Sequence, residues 1–299
     1  MSEQDNRPAA HNIYSSHVNE RKTSGLATEL WGHISHTMGE AADLMPKVRG
    51  EYGEPSDKLE SLKIHMKNNM RRMGLLTGKT REAIDGMHNG VVEAGQQPNF
   101  MGGPSLVLNK IAYAVSLAGM DENIVPLYYV ADYDGVQPEL TNMRLPSPSS
   151  KGLHLNYPTQ PSQNNLSIYE VKLPGESWFR KTMDKIDSNY RGILKELPAA
   201  KRDLVQKNLD HIYSIIRNAY YSTDNVSTFS TKIIGSLTNI EADIGLPIFW
   251  FSMPETRPLF QKGFELLLRE PTRTRFIEAS NEAQAKVDAR STVVELRQD

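Results

Sequence analysis

The stretch best furnished for chemistry is Gly95-Gln96-Gln97-Pro98-Asn99-Phe100-Met101-Gly102-Gly103-Pro104. Its glycines let the backbone approach a ligand closely and leave amide N–H groups pointing at it. Pro104 suits the first turn of a helix, where its missing N–H would be unpaired in any case. The helix N-terminus that follows offers free donors and positive dipole to a phosphate or carboxylate. Gln96, Gln97 and Asn99 add side-chain amides, and Lys110 falls about two turns into the helix. That lysine either faces the ligand or is an ordinary surface lysine, and the whole turn can also be purely structural.

A second candidate follows at Asp132 and Asp134. Two carboxylates at i, i+2 after a strand can hold Mg²⁺, orient an amine or act as a base, and they can equally form an Asx-type turn. Two other patterns are weaker. Thr77-Gly78-Lys79-Thr80 echoes the end of a P-loop, but Met73 stands where the leading glycine is required. His33 and His36 have metal-ligand spacing on a helix, with no acidic partner in view.

The elements that must position these groups follow from apolar spacing. Leu26, Leu30, Ile34 and Met38 make one stripe in a helix expected over 24–48, and Leu59, Leu62, Met66, Met70 and Met73 another over 56–73. A third helical segment is expected around 80–89. Val91–Ala94 then reads as a strand, Ser105–Ala118 as a helix, and Ile124–Ala131 as a nearly wholly apolar strand. Strand, glycine-rich turn, helix, strand and acidic turn make a βαβ unit. Adjacent parallel strands then put both candidate turns at one crevice, where open α/β sheets bind ligands. Downstream, 145–164 reads as loop, 166–171 as a strand and 177–221 as two helices broken near Leu197-Pro198. Helices over 229–243, 257–268 and 276–296 and a buried strand over 244–253 complete the reading.

The chain has 299 residues, a formal charge of −2 and no cysteine. Disulfides, thiolate metal sites and thiol nucleophiles are therefore excluded, so chemistry must come from oxygen, nitrogen and backbone groups. The balanced charge gives no field for nucleic acid, and the longest near-apolar run is about half a membrane span. Residues 1–12 are polar and without an apolar core, so they read as a disordered tail on a cytoplasmic protein. The sequons at Asn165 and Asn225 read as chance matches.

The run from Ala94 to Pro104, followed by Lys110 and by Ile124-Val125-Pro126-Leu127-Tyr128-Tyr129, resembles the bacillithiol synthase family, often written BshC. That family's hallmark is similar to T-G-Q-Q-x-G-L-F-G-G-P, a helix carrying a Lys, then V-P-V-F-W and an acidic E-D-H-D cluster. A fainter echo of its helix, G-L-V-L and S-D-P-E passage lies in Phe229–Ile234 and Gly245–Glu255. The resemblance implies a Rossmann-like parallel sheet, class I synthetase- or nucleotidyltransferase-like, with substantial helical additions. It implies a nucleotide site, for ATP or ADP, and ligation of cysteine to a glucosaminyl-malate acceptor, with Mg²⁺ a candidate ligand of the acidic pair. Residue by residue, the loop role falls on Gly95, Gln96, Gln97, Gly102, Gly103 and Pro104, the helix lysine on Lys110, and the acidic pair on Asp132 and Asp134. The family's histidine has no counterpart in Asp132-Tyr133-Asp134. Family members also continue into a long C-terminal coil, so a homo-oligomer or a second chain is expected to supply the rest of the nucleotide site.

The resulting expectation is an N-terminal helical region over 13–89 packed on a core over 90–299, with a helical insertion at about 175–222. Small-molecule substrates are expected, and neither nucleic acid nor membrane. Two other readings stay open here. One is a non-catalytic ligand-binding subunit that needs a separate chain, and the other is a helical scaffold.

Overall fold

The computed structural model describes residues 28–29, 32, 35–52, 57–103, 105–159, 161–163 and 165–288. Pro104, His33 and the tail over 1–12 lie outside them. The chain forms two compact units, residues 55–257 and residues 1–54 with 258–299.

The larger unit is built on a three-stranded parallel sheet: β1 (Val91–Gln96), β2 (Val125–Val130) and β5 (Ile248–Trp250), in the order β1-β2-β5. Parallel strands need a crossover, and α4 (Ser105–Ala118) provides it between β1 and β2. The register sets Ala94 against Tyr128 and Gly95 against Tyr129, then Tyr129 against Phe249 and Val130 against Trp250. Side chains alternate between the two faces of a strand, so Ala94, Tyr128, Val130, Ile248 and Trp250 share one face. All of them are buried, together with Val107 and Ile111 of α4. Met66 and Met70 of α2 (Lys58–Arg72) and Ile84 of α3 (Gly78–Gly86) fill the same core. The fold is thus a Rossmann-like α/β sheet with helical additions, and the βαβ unit read from the sequence is present.

The second core of this unit lies among the added helices. α5 (Glu176–Lys195) and α6 (Ala199–Tyr221) break at Leu197-Pro198, as their sequence implies, and Phe179 stacks on Tyr220 at 3.8 Å. α7 (Val226–Gly235) joins them through Phe229 and Ile233 and continues into a π-helical turn, Ser236–Glu241.

Three local expectations are corrected. The span 145–164 is not all loop. Its β4 (Leu153–Asn156) pairs antiparallel with β3 (Asn142–Leu145), burying Leu155 within a segment whose prolines and serines hide the alternation. The span 166–171 is not a strand but a 3-10 turn, Ile168–Glu170, closed by a capping box between Ser167 and Glu170. The strand expected over 244–253 is three residues long, because the buried Asn239 side chain satisfies the backbone just before it. Asn239 Nδ2 donates to the Leu246 carbonyl at 2.8 Å, and Oδ1 accepts from Leu246 N–H at 2.7 Å. Asn239→Ala is expected to cost about 2 kcal/mol in urea unfolding, since it strands both backbone groups in the core.

The P-loop echo at 77–80 is a helix cap. Thr77 Oγ1 accepts from Thr80 N–H at 3.2 Å, and Lys79 pairs with Asp243 at 3.1 Å. The other unit contains α1 (Met38–Tyr52), α9 (Thr272–Asp288) and, from Pro258 onward, α8 (Arg257–Leu268). In it, Lys286 bridges Glu29 and Glu282 at 3.0 and 2.8 Å.

Candidate functional site at the carboxyl edge of the sheet

The loop after β1 is a tightly fitted object. Asn99 and Phe100 are buried, and a 3-10 turn spans Phe100–Gly102. Within it, Met101, Gly102 and Gly103 all take positive φ, at 50°, 87° and 84°. Gly103 combines its φ with ψ −175°, a region open essentially to glycine alone. A Cβ there would stand 2.9 Å from Asn99 Cβ and 3.1 Å from Val107 Cγ2, and one at Gly102 would stand 3.2 Å from Ile233 Cγ2. The loop is therefore clamped between α4 and α7. The Gly102 and Gly103 amides are consumed by the turn, donating to the carbonyls of Asn99 at 3.2 Å and Phe100 at 3.0 Å. The donors left for an anion are the leading amides of α4, from Ser105 onward, which have no partner within the helix.

Gln96 and Gln97 point their amides along the edge. Lys110 Nζ donates to Gln96 Oε1 at 2.8 Å, which places the helix lysine over the end of β1. Gln97 Nε2 donates to Asp134 Oδ2 at 2.5 Å. Two polar pairs thus flank the end of β1, Lys110 with Gln96 and Gln97 with Asp134, carried by adjacent residues of one backbone. Asp134 is half-buried.

Asp132 is placed differently. It is fully buried, at 0% exposure. Oδ2 accepts from Ser227 Oγ at 2.8 Å and Oδ1 from Ser252 N–H at 3.2 Å, while its own carbonyl accepts from Tyr169 N–H at 3.0 Å. Burial pushes this carboxyl above the ordinary carboxylate range, and the bonds from Ser227 and Ser252 pull it back part of the way. The residue ties the end of β2 to α7 and to the segment after β5, and it does not reach the open edge. The structure therefore pairs Lys110 with Gln96 and Gln97 with Asp134 at the end of β1. It makes Asn99, Gly102, Gly103 and Asp132 the packing that holds them.

Sequence reasoning missed two features. Ser227 and Ser252 are distant in the chain and carried no motif. Glu93, two residues before Gly95 and hence on its face, reaches within 3.3 Å of where a Gly95 Cβ would sit, and burial pushes its carboxyl up as well. The signal that could have found it is the period of two along β1. Beside it Tyr129 stacks on Phe249 at 5.4 Å, and Tyr133 meets Phe251 edge-on at 5.5 Å.

The profile of the family described as bacillithiol biosynthesis BshC, N-terminal Rossmann-like domain, matches residues 45–298. The chain belongs to the BshC family. The match spans both candidate turns, the whole of the unit 55–257 and about half of the other. No curated protein matches the chain. Among the described residues no helix is long and apolar enough to cross a membrane, and no three His, Asp or Glu side chains converge as a metal site.

Proposed function

We propose that this edge is the amide-forming site of a ligase that joins cysteine to a glucosaminyl-malate-type acceptor in low-molecular-weight thiol biosynthesis. The observation that carries the reading is the pair of opposite charges, Lys110 and Asp134, tied to one strand end through Gln96 and Gln97. Amide formation must bring a carboxyl carbon and an amine into contact. The two substrates bear opposite charges at those groups, and a cation and a carboxylate held at the end of one strand can receive one each.

In this reading Lys110 and the first turn of α4 face the carboxylate of cysteine, or the phosphate of the ATP or ADP that accompanies its activation. A phosphate fits the residues present, which offer unpaired amides and a lysine. The nucleotide supplies the leaving group that makes the carboxyl reactive. Asp134 accepts hydrogen bonds from the incoming ammonium and takes its proton as the amine becomes nucleophilic. Asp132 positions the turn that carries Asp134. The Asp132–Asp134 pair does not fit a Mg²⁺ ion, because both Asp132 oxygens are engaged within the fold.

The test is product formation from cysteine, glucosaminyl-malate and ATP, read by mass spectrometry. The cysteinyl amide is expected to accumulate, and Asp134→Asn to slow it about a hundredfold. An Asp134→Asn rate equal to that of the unaltered chain would contradict the assignment.

A further inference from the structure

A second concavity lies away from this edge, between the β3–β4 hairpin and α5. Two adjoining hollows, about 470 and 460 Å³, share Asp184 and Lys185 in their walls. Lys181 and Lys185 stand one helical turn apart on α5, with His154 of β4 in the wall of the larger hollow. The one carboxylate among the lining residues, Asp184, lies on the same helix between them. Neither lysine makes a salt bridge among the described residues, whereas Arg180 and Arg191 of the same helix are each paired with an acid one turn away. The groove therefore keeps two cations unneutralised beside one acid.

Its floor is apolar and fixed. Trp178 donates its indole N–H to the Asn156 carbonyl at 3.2 Å, and its ring meets Tyr157 at 5.5 Å and Phe100 at 5.7 Å. Phe100 is the buried ring of the glycine-rich loop, so the groove wall and the loop share one aromatic cluster. His154 Nε2 is held by Asn142 Oδ1 at 3.0 Å, which steadies the opposite wall. An open concavity of this size, with a held indole in its wall and two lysines beside one acid, suits a compact ligand with a strong anionic group. Lysines serve phosphate as point charges without the planar geometry that carboxylate pairing with arginine exploits.

We infer that the groove between β4 and α5 is a binding site for a phosphorylated small molecule. Lys181 and Lys185 hold the phosphate and Trp178 supports the body of the ligand. The site is separate from the β1 edge and is not needed to explain it.

The test uses inorganic phosphate as the probe and tryptophan emission as the readout, at constant ionic strength, on the full chain and on Lys181→Ala/Lys185→Ala. Both positions are exposed, so the double variant keeps its fold, and its circular dichroism is the check. A saturable response in the unaltered chain that weakens at least tenfold in the double variant supports the site. Acetate, titrated in parallel, is expected to give a weaker response, which separates a phosphate site from a general carboxylate one. No saturable response to phosphate, or one that the double variant retains in full, overturns the inference. So does an acetate response equal to that of phosphate.

Discussion

Asp132→Ala is expected to lower the stability of the chain by about 3 kcal/mol, more than Asn239→Ala. The carboxylate is wholly buried, and it satisfies Ser227 Oγ and Ser252 N–H from elements far apart in the chain. Truncation leaves a buried hydroxyl and a buried amide without acceptors, and each such orphan costs about 1–3 kcal/mol. For a unit of this size the midpoint should fall by roughly 6–12 °C. Asp132→Asn should lie between, because its carbonyl keeps one acceptor while its amide loses the other.

The two variants also differ in pH dependence, with a sign fixed by the raised carboxyl. A group whose folded pKa exceeds its unfolded value adds stability below the unfolded value, about 3.9 for Asp, and loses it as pH rises through the folded value. The asparagine does not titrate. The stability of the unaltered chain relative to Asp132→Asn should therefore decline as pH rises through that window and be flat above it. Urea unfolding of both proteins from pH 4 to pH 8 measures this. A difference that grows with pH would mean that the carboxyl is not raised.

Gly103→Ala is the second large effect, and it bears on function more than on stability. The backbone conformation costs a residue with a Cβ about 1–3 kcal/mol, and the new methyl would press on Asn99 and Val107. Relief requires the loop to move away from α4, carrying the end of β1 with it. Binding at the edge should weaken at least tenfold, since a misplacement of about 1 Å can cost a hundredfold in a positioned reaction. Gly95→Ala is the control. Gly95 does not take positive φ, and its added methyl meets Glu93 and Tyr129 at 3.3 and 3.4 Å, so it should fold and bind nearly normally. Equal losses in both variants would mean that the loop responds to bulk rather than to its left-handed backbone.

How far the sequence foretold this arrangement depends on the range of the interaction. Ser105–Ala118 was readable as α4 because its apolar spacing and the preceding glycines act within a few turns. The pairing of the two turns at one edge followed from parallel topology. The division of labour between Asp132 and Asp134 was not readable. Two residues apart in one turn, they look alike, and only α7 and the segment after β5, arriving from 95 and 120 residues away, bury the first and leave the second at the edge. The glycines suggest free amides in sequence, yet the turn uses the Gly102 and Gly103 amides itself. Their sequence signature is real, but it encodes backbone shape and close packing. Asn239 and the capping box of Ser167 and Glu170 show the same limit, since side chains there replace the backbone pairing that apolar content alone would suggest.

The most direct test of the central claim is a calorimetric titration that removes one charge at a time from ligand and protein together. Cysteine and cysteamine differ by the carboxylate assigned to Lys110, and glucosamine and N-acetylglucosamine differ by the ammonium assigned to Asp134. The unaltered chain should prefer cysteine and glucosamine. Lys110→Ala should erase only the first preference and Asp134→Asn only the second, each worth about tenfold, as expected for a charged hydrogen bond. Preferences that are absent in the unaltered chain, or that survive in both variants, would contradict the account.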